Sequence, residues 1–233
     1  HVEYYFQPET NYQVFPWHNG LTMEGGEKYY DEVGHVDYVH KLSRAPILKA
    51  QHPDYEIFKM GIHGQRGVSC ADCHMPYISE GGVKYSDHHI ISPLANINNT
   101  CQVCHRESEE TLRESVYERQ AKGLEIRDLV EKELAAAQIE AKFAWDQGAS
   151  EAQMADVLQL LRQSQWRWDY AVASHGASFH APVEFQRLLS QSLDRAHKAR
   201  FAIAKLLPQL GYIGDVPMPD ISTKEKAQKY IGL

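Results

Sequence analysis

From Glu107 onward, apolar residues recur every three to five positions among charged ones: Leu112, Val116, Leu124, Leu129, Val130, Leu134, Ile139 and Phe143. This is the period of an amphipathic helix, and it predicts one long helix running to about Trp145. Gly148 ends it. Ser150 with Gln153 has the form of a capping box and opens a second helix, which carries Met154, Val157, Leu158 and Leu161 on one face through about Ala173. Pro182, tolerated in a first helical turn, opens a third helix that runs through Leu188, Leu193, Phe201 and Leu207 to Pro208. An arm with Pro217 and Pro219 follows, then a short helix near Lys224 to Tyr230. The first of these helices, roughly 38 residues, far exceeds the usual 11 or 12, and so long a helix is expected to find a partner, here a second subunit.

The first half reads differently. Over residues 1 to about 60, Tyr4, Tyr5, Phe6, Tyr12, Phe15, Trp17, Tyr29, Tyr30 and Tyr38 are interleaved with Pro8, Pro16, Gly20, Gly25 and Gly26, which interrupt regular structure. Such flat side chains suit packing against flat cofactors, or an irregular aromatic core. A short helix is expected around Glu32 to Arg44, closed near Pro46. Residues 61 to 106, with Gly61, Gly64, Gly67, Pro76, Gly81, Gly82 and Pro93, read as loop with short turns. The expected fold class is therefore mainly α, with little or no β-sheet: a loop-rich region over residues 1–106 and a long-helix region over residues 107–233.

Cysteine changes the picture of the loop-rich region. The chain has four, all within CADCH at 70–74 and CQVCH at 101–105. Two thiols three positions apart add to the vinyl groups of a haem, and the histidine that follows at once reaches the iron. Cys70, Cys73 and His74 form one candidate c-type haem site, and Cys101, Cys104 and His105 another. Histidine is 13 of 233 residues, so a chance histidine after both pairs is expected well under about 1% of the time. A four-thiolate zinc site could also use the cysteines but leaves the two histidines unexplained, and disulfides are the other alternative. Haem in the interior would replace part of the apolar core.

The formal charge of −7 argues against a nucleic-acid partner, which needs a basic face. No apolar run approaches the roughly 20 residues that span a bilayer. Attachment of c-type haem takes place outside the bacterial cytoplasm, so the periplasm is the expected compartment.

With the haem motifs placed, HVEYYF at 1–6, LKAQHPDYE at 48–56, GIHGQRGVSCADCHMPY at 61–77, DHHIISPL at 87–94, TCQVCH at 100–105 and FHAPVE at 179–184 together resemble the pentahaem, ammonia-forming cytochrome c nitrite reductases. The resemblance covers essentially the whole chain. It implies that His1 is the last residue of a third CxxCH motif, so that the chain is expected to be the C-terminal part of a longer polypeptide. The absent N-terminal half would carry two further haem motifs, the catalytic one among them, and five haems are implied for the whole.

The resemblance also implies the ligands. His1, His74 and His105 would be proximal ligands of the third, fourth and fifth haems. The distal ligands would be His63 on the fifth, His89 on the second and His180 on the fourth. His18, His35, His40, His175 and His197 are read as structural, and so is His88, although it adjoins His89. The pocket over the catalytic haem would receive Tyr4, Gln51 and His52 from this chain, with His52 a proton donor at a pH where imidazole changes charge. Calcium would be held by the Glu3 carboxylate, the Gln51 amide oxygen and the carbonyls of Tyr4 and Lys49, an oxygen set that suits a hard cation.

The reaction implied is the six-electron reduction of nitrite to ammonia by a homodimer joined through its long helices. Its electrons would come from a membrane-anchored or soluble multihaem cytochrome. The alternatives are a multihaem electron carrier without a substrate site and a related hydroxylamine or sulfite reductase.

Overall fold

The structure, a computed structural model, describes residues 5–7, 12–14 and 16–232. It is mainly α. The elements, in chain order, are β1 (Tyr5–Gln7), β2 (Tyr12–Val14), α1 (Met23–Glu32), β3 (Tyr38–Val39), β4 (Pro46–Ile47), α2 (Asp54–Met60), α3 (Ile62–Gln65), α4 (Cys70–His74), β5 (Tyr77–Glu80), β6 (Val83–Ser86), α5 (Glu109–Asp146), α6 (Glu151–Ala173), α7 (Ala177–His180), α8 (Pro182–Leu206) and α9 (Lys224–Tyr230). The strands pair antiparallel as β1–β2, β3–β4 and β5–β6, so β-structure is limited to hairpins among the described residues. No described helix is long and apolar enough to cross a membrane.

The chain divides into two compact units, and the boundary is not the expected one at residue 106. One unit comprises His1–Pro53, Ile126–Ser174 and Arg187–Leu233, the other Asp54–Glu125 and His175–Gln186. The reason is that α5 and α8 each run from one unit into the other. Each helix contributes one stretch to each, which a division by sequence position cannot express.

In the first unit, Leu134, Ala137, Ala141 and Ala144 of α5, Met154, Val157 and Leu161 of α6, and Ala199 and Ile203 of α8 form one buried cluster with Ala45 and Ile47. A fully buried Leu, Ile or Met contributes about 1.5–3 kcal/mol. The 38 residues of α5 follow the predicted period, but Leu124 and Leu129 are exposed, the latter beside the fully buried Val130. Neighbours on a helix cannot share one face. Gly148, at φ 90°, ends α5. The capping box at α6 is formed as read, the Ser150 hydroxyl accepting the Gln153 amide and the Gln153 side chain accepting the Ser150 amide.

The helix expected at Glu32 to Arg44 is absent; α1 stops where it was to start. Thr22 caps α1 by accepting the Gly25 amide at 2.9 Å. The two glycines read as breakers lie inside this helix because the chain is crowded there. A Cβ on Gly25 would stand 2.7 Å from the Asn19 carbonyl oxygen, and one on Gly26 would stand 3.3 Å from the Trp166 ring. After α1, the Arg162 guanidinium takes the Asp31 carboxylate at 2.9 Å and the carbonyls of His35 and Pro46 at 3.0 Å. The neutral His40 ring accepts the Leu42 and Ser43 amides, folding the segment into the β3–β4 hairpin. Tyr30 packs edge-on against Trp166, and Trp166 against Tyr170. Of the two readings of the early aromatics, these side chains follow the protein core.

The second unit buries Ile57, Ile97, Val116, Ala177, Ala181 and Phe185 among short elements. Its α2 and α7 pack together. Residues 61–106, expected as loop and turn, contain only α3, α4, the β5–β6 hairpin and two 3₁₀ turns.

Candidate functional site

Both cysteine motifs lie in the second unit, each on a single turn. Ser69 caps α4: its hydroxyl accepts the Asp72 amide at 3.3 Å, while the Asp72 carboxylate takes the Ser69 amide at 2.7 Å and hydroxyl at 2.9 Å. Those Ser69 bonds hold the Asp72 carboxyl below the usual carboxylate range. Cys70 and Cys73 therefore project from one side of a capped helical turn, three positions apart. In the second motif the Cys104 and His105 amides both donate to the Cys101 carbonyl, at 3.2 and 2.8 Å. The Thr100 hydroxyl ties the turn back to the carbonyls of Pro93 and Asn96.

The histidines stand in opposed pairs. The ring centres of His63 and His105 are 6.2 Å apart, and those of His74 and His180 are 6.4 Å apart. A metal between two imidazoles, with bonds of about 2 Å and about 1.1 Å more to each ring centre, separates the rings by roughly 6 Å. Each pair thus has the spacing of two axial ligands on one iron, and each contains the histidine of one CxxCH. Two glycines seat His180. A Cβ on Gly61 would stand 1.7 Å from its carbonyl oxygen, and one on Gly176 would stand 2.3 Å from its ring.

Burial pushes the His180 imidazole down in pKa, with His74 adding to the effect, and does the same at His63 with help from His105. The neutral ring favoured in this way is the one that offers a lone pair to a metal. His74 Nδ1 is 3.2 Å from the Ile91 carbonyl oxygen; donating there leaves Nε2 as the lone-pair nitrogen. The Nδ1 of His180 is buried with no hydrogen-bond partner, an orphaned polar atom of the kind found beside a ligand site. Ile62, Ile90 and Val103 are 59%, 65% and 72% exposed, apolar surface that a porphyrin would cover. The residues present fit c-type haem.

His89 follows β6 with its side chain 82% exposed. Asp87 accepts both its Nδ1 proton at 2.5 Å and its amide at 3.1 Å. Those two bonds hold the Asp87 carboxyl low and turn His89 into the same Nε2 donor form. His88 places its Nδ1 2.7 Å from the Ser86 carbonyl oxygen, so ring orientation does not separate the two neighbours. Of the other histidines read as structural, His35 pairs with Asp37 and His197 with Glu133. Burial raises the Cys73 thiol, with Cys101 the next contributor. Even so, among the described residues no three His, Cys, Asp or Glu groups could hold one metal ion, so the four-thiolate zinc alternative finds no site there.

His1, Glu3 and Tyr4 lie outside the described residues. Lys49, Gln51 and His52 belong to the first unit. The Lys49 amide donates to Asp37 at 2.7 Å and its ammonium to Asp169 at 2.8 Å. With the ammonium taken, the carbonyl is the Lys49 group suited to a cation. Gln51 and His52 are exposed, directly after the buried Ala50. His52 has φ 53°, a conformation that costs a non-glycine residue about 1–3 kcal/mol and concentrates at functional sites.

Sequence reasoning missed the carboxylates. Asp87, two residues before His89, carried a legible signal, because ligating histidines commonly lean on a nearby carboxylate. Asp169, 120 positions from Lys49, carried none.

The sequence model of the cytochrome c552 family matches residues 1–233. The chain belongs to the cytochrome c552 family. It is 71% identical to cytochrome c-552 of Bacteroides thetaiotaomicron and 67% identical to that of Porphyromonas gingivalis, in each case over all of this chain and 47% of the relative. Cytochrome c-552 of Desulfotalea psychrophila is 49% identical, again over the whole chain and 48% of the relative. Among solved structures, cytochrome c nitrite reductase from Desulfovibrio desulfuricans, whose catalytic subunit has two calcium sites, superposes with a TM-score of 0.79 at 34% identity. That match covers 92% of this chain and 50% of the other. This member of the cytochrome c552 family thus spans about half the length of the relatives it matches.

Proposed function

We propose that the chain is part of a periplasmic nitrite reductase that forms ammonia, acting as a homodimer. The observation that carries this reading is the pairing of His74 with His180 and of His105 with His63, each at the spacing of two ligands on one iron. Iron closed on both faces by imidazole passes electrons and binds no substrate. The two haems attached through Cys70 and Cys73, and through Cys101 and Cys104, would therefore serve as relays. His1 and His89 would each ligate a haem attached through cysteines outside this chain.

The substrate pocket would be completed here by Tyr4, Gln51 and His52. When bound, the catalytic haem supplies the iron that holds nitrite and the route by which electrons reach it. His52 gives protons to the oxygens that leave as water, and Tyr4 donates a hydrogen bond to the bound anion. Calcium held by Glu3, Gln51 and the carbonyls of Tyr4 and Lys49 would fix the 3–4 and 49–51 segments against each other. Exposed Leu124 and Leu129 on α5 support the long helix as the surface for a second copy. A multihaem cytochrome, membrane-anchored or soluble, would deliver the electrons.

The test uses the full-length, haem-loaded protein. A high-spin iron that binds nitrite, with ammonia as product, is expected; a purely six-coordinate low-spin spectrum without turnover would make the protein a carrier. Parallel assays with hydroxylamine and sulfite identify the preferred substrate. Replacing His52 by Ala should lower nitrite turnover about 10²- to 10⁴-fold with haem content intact. Chelation should reduce activity without bleaching the haem, and indifference to chelator and added calcium would remove the calcium site.

A further inference from the structure

Asp169 of α6 grips the segment that ends at His52. Its side chain is 7% exposed. Oδ2 accepts the Ala50 amide at 2.6 Å, and Oδ1 accepts the Lys49 ammonium at 2.8 Å. Asp37 takes the preceding amide, that of Lys49, at 2.7 Å. Two consecutive backbone N–H groups are therefore held by carboxylates immediately before Gln51 and His52. Such charge-assisted bonds are shorter and roughly twice as strong as neutral ones.

The helix that presents Asp169 is itself anchored. The Trp166 indole donates to the Met23 carbonyl at 3.1 Å, and the Arg167 guanidinium forks onto Glu27 at 2.8 and 2.9 Å. His52 sits two residues past the clamp at φ 53°, a backbone state that persists where the surroundings over-determine it.

We propose that Asp169 is a positioning residue for the nitrite pocket: by fixing the Lys49–Ala50 backbone it aims Gln51 and His52 at the substrate. The inference rests on the reading of His52 as proton donor. Asp169 touches no substrate. Its effect is exerted through the backbone it holds, while Lys49 balances its buried charge.

The experiment compares Asp169→Ala, Asp169→Asn, His52→Ala and the Asp169→Ala/His52→Ala double variant in the full-length holoenzyme. Asp169→Ala is expected to lower kcat for nitrite by about 10- to 100-fold at little-changed KM, as loss of support behind a functional group does. Asp169→Asn keeps an acceptor for the Ala50 amide and should lose less. The double variant should fall no further than His52→Ala, because the two residues act as one unit. Hydrogen exchange read on peptides spanning 48–53 should quicken in Asp169→Ala, with haem content and absorption unchanged.

Wild-type turnover in Asp169→Ala beside an impaired His52→Ala would overturn the positioning role alone. Multiplying losses in the double variant, or unchanged exchange at 48–53, would do the same. If Asp169→Ala fails to fold, Asp169→Asn carries the comparison, and full activity with unaltered exchange there overturns the proposal. An unimpaired His52→Ala enzyme would remove the proton-donor reading and this proposal with it.

Discussion

In the first unit, Met154, Leu161 and Ile203 are buried to within 1% of completely, and the polar interior is tied down by Arg162 on Asp31 and Arg167 on Glu27. In the second, Ile57 and Ile97 are buried as deeply, but Ile62, Ile90 and Val103 stand on the surface of a unit that also holds two pairs of imidazoles. The first unit fills its own interior. The second arranges thiols and histidines at the spacing a haem requires, so part of its cohesion belongs to a cofactor. A chain can thus satisfy close packing in two ways, by side chains that interdigitate or by a rigid group attached to it.

The strongest way to break this comparison is to remove one attachment site. Changing both Cys101 and Cys104 to Ala in the full-length protein should eliminate one covalent haem. It should also open residues 54–125 to proteolysis while 126–174 stays protected, as read by mass spectrometry of the fragments. A second unit that remained resistant would show that its side chains suffice.

Next in size is Leu161→Ala. It should cost about 2–5 kcal/mol, measured by denaturant unfolding followed through helical circular dichroism, with haem absorption unchanged. An equal loss of haem would erase the distinction between the units.

The two capping boxes give a matched pair. Ser150→Ala and Ser69→Ala should each cost about 1 kcal/mol locally. The first should appear as a lower melting temperature, the second as reduced haem occupancy at Cys70 and Cys73.

The smallest effect is one of pH. Burial holds the His40 imidazole below its ordinary pKa, and its ring accepts two amides only when neutral. In the unfolded chain it titrates near about 6.5. Its contribution is therefore complete above that value, declines as pH falls below it, and is gone below the lower folded pKa. The drop in melting temperature between pH 7.5 and pH 5, two conditions chosen to bracket about 6.5, should be smaller in His40→Gln than in the unaltered protein.

Much of this molecule was written locally. The period of Leu134, Ile139 and Phe143, the Ser150–Gln153 box, Gly148, and Pro182 placed α5, α6 and α8 to within a residue or two. Each signal acts over one or two turns, and the helix forms wherever they agree. CADCH and CQVCH announced their chemistry in the same way, because thioether attachment needs thiols at one fixed separation.

Where distant contacts outweighed local preference, the sequence misled. Gly25 and Gly26 read as breakers yet lie inside α1, since helix propensity is weak beside close packing against Trp166. The segment after Glu32 became a hairpin because Arg162, more than a hundred positions away, collects its carbonyls.

By itself, the sequence determined the long helices α5, α6 and α8 and the two CxxCH motifs suited to haem attachment, since both depend on neighbours within a few positions. The pairings of His63 with His105 and of His180 with His74 were legible only through the family resemblance, and only the tertiary structure decided that they stand 6.2 and 6.4 Å apart and that Asp169 holds the backbone before His52. These are meetings of side chains far apart along the chain, set by how the elements pack, and no local pattern encodes them.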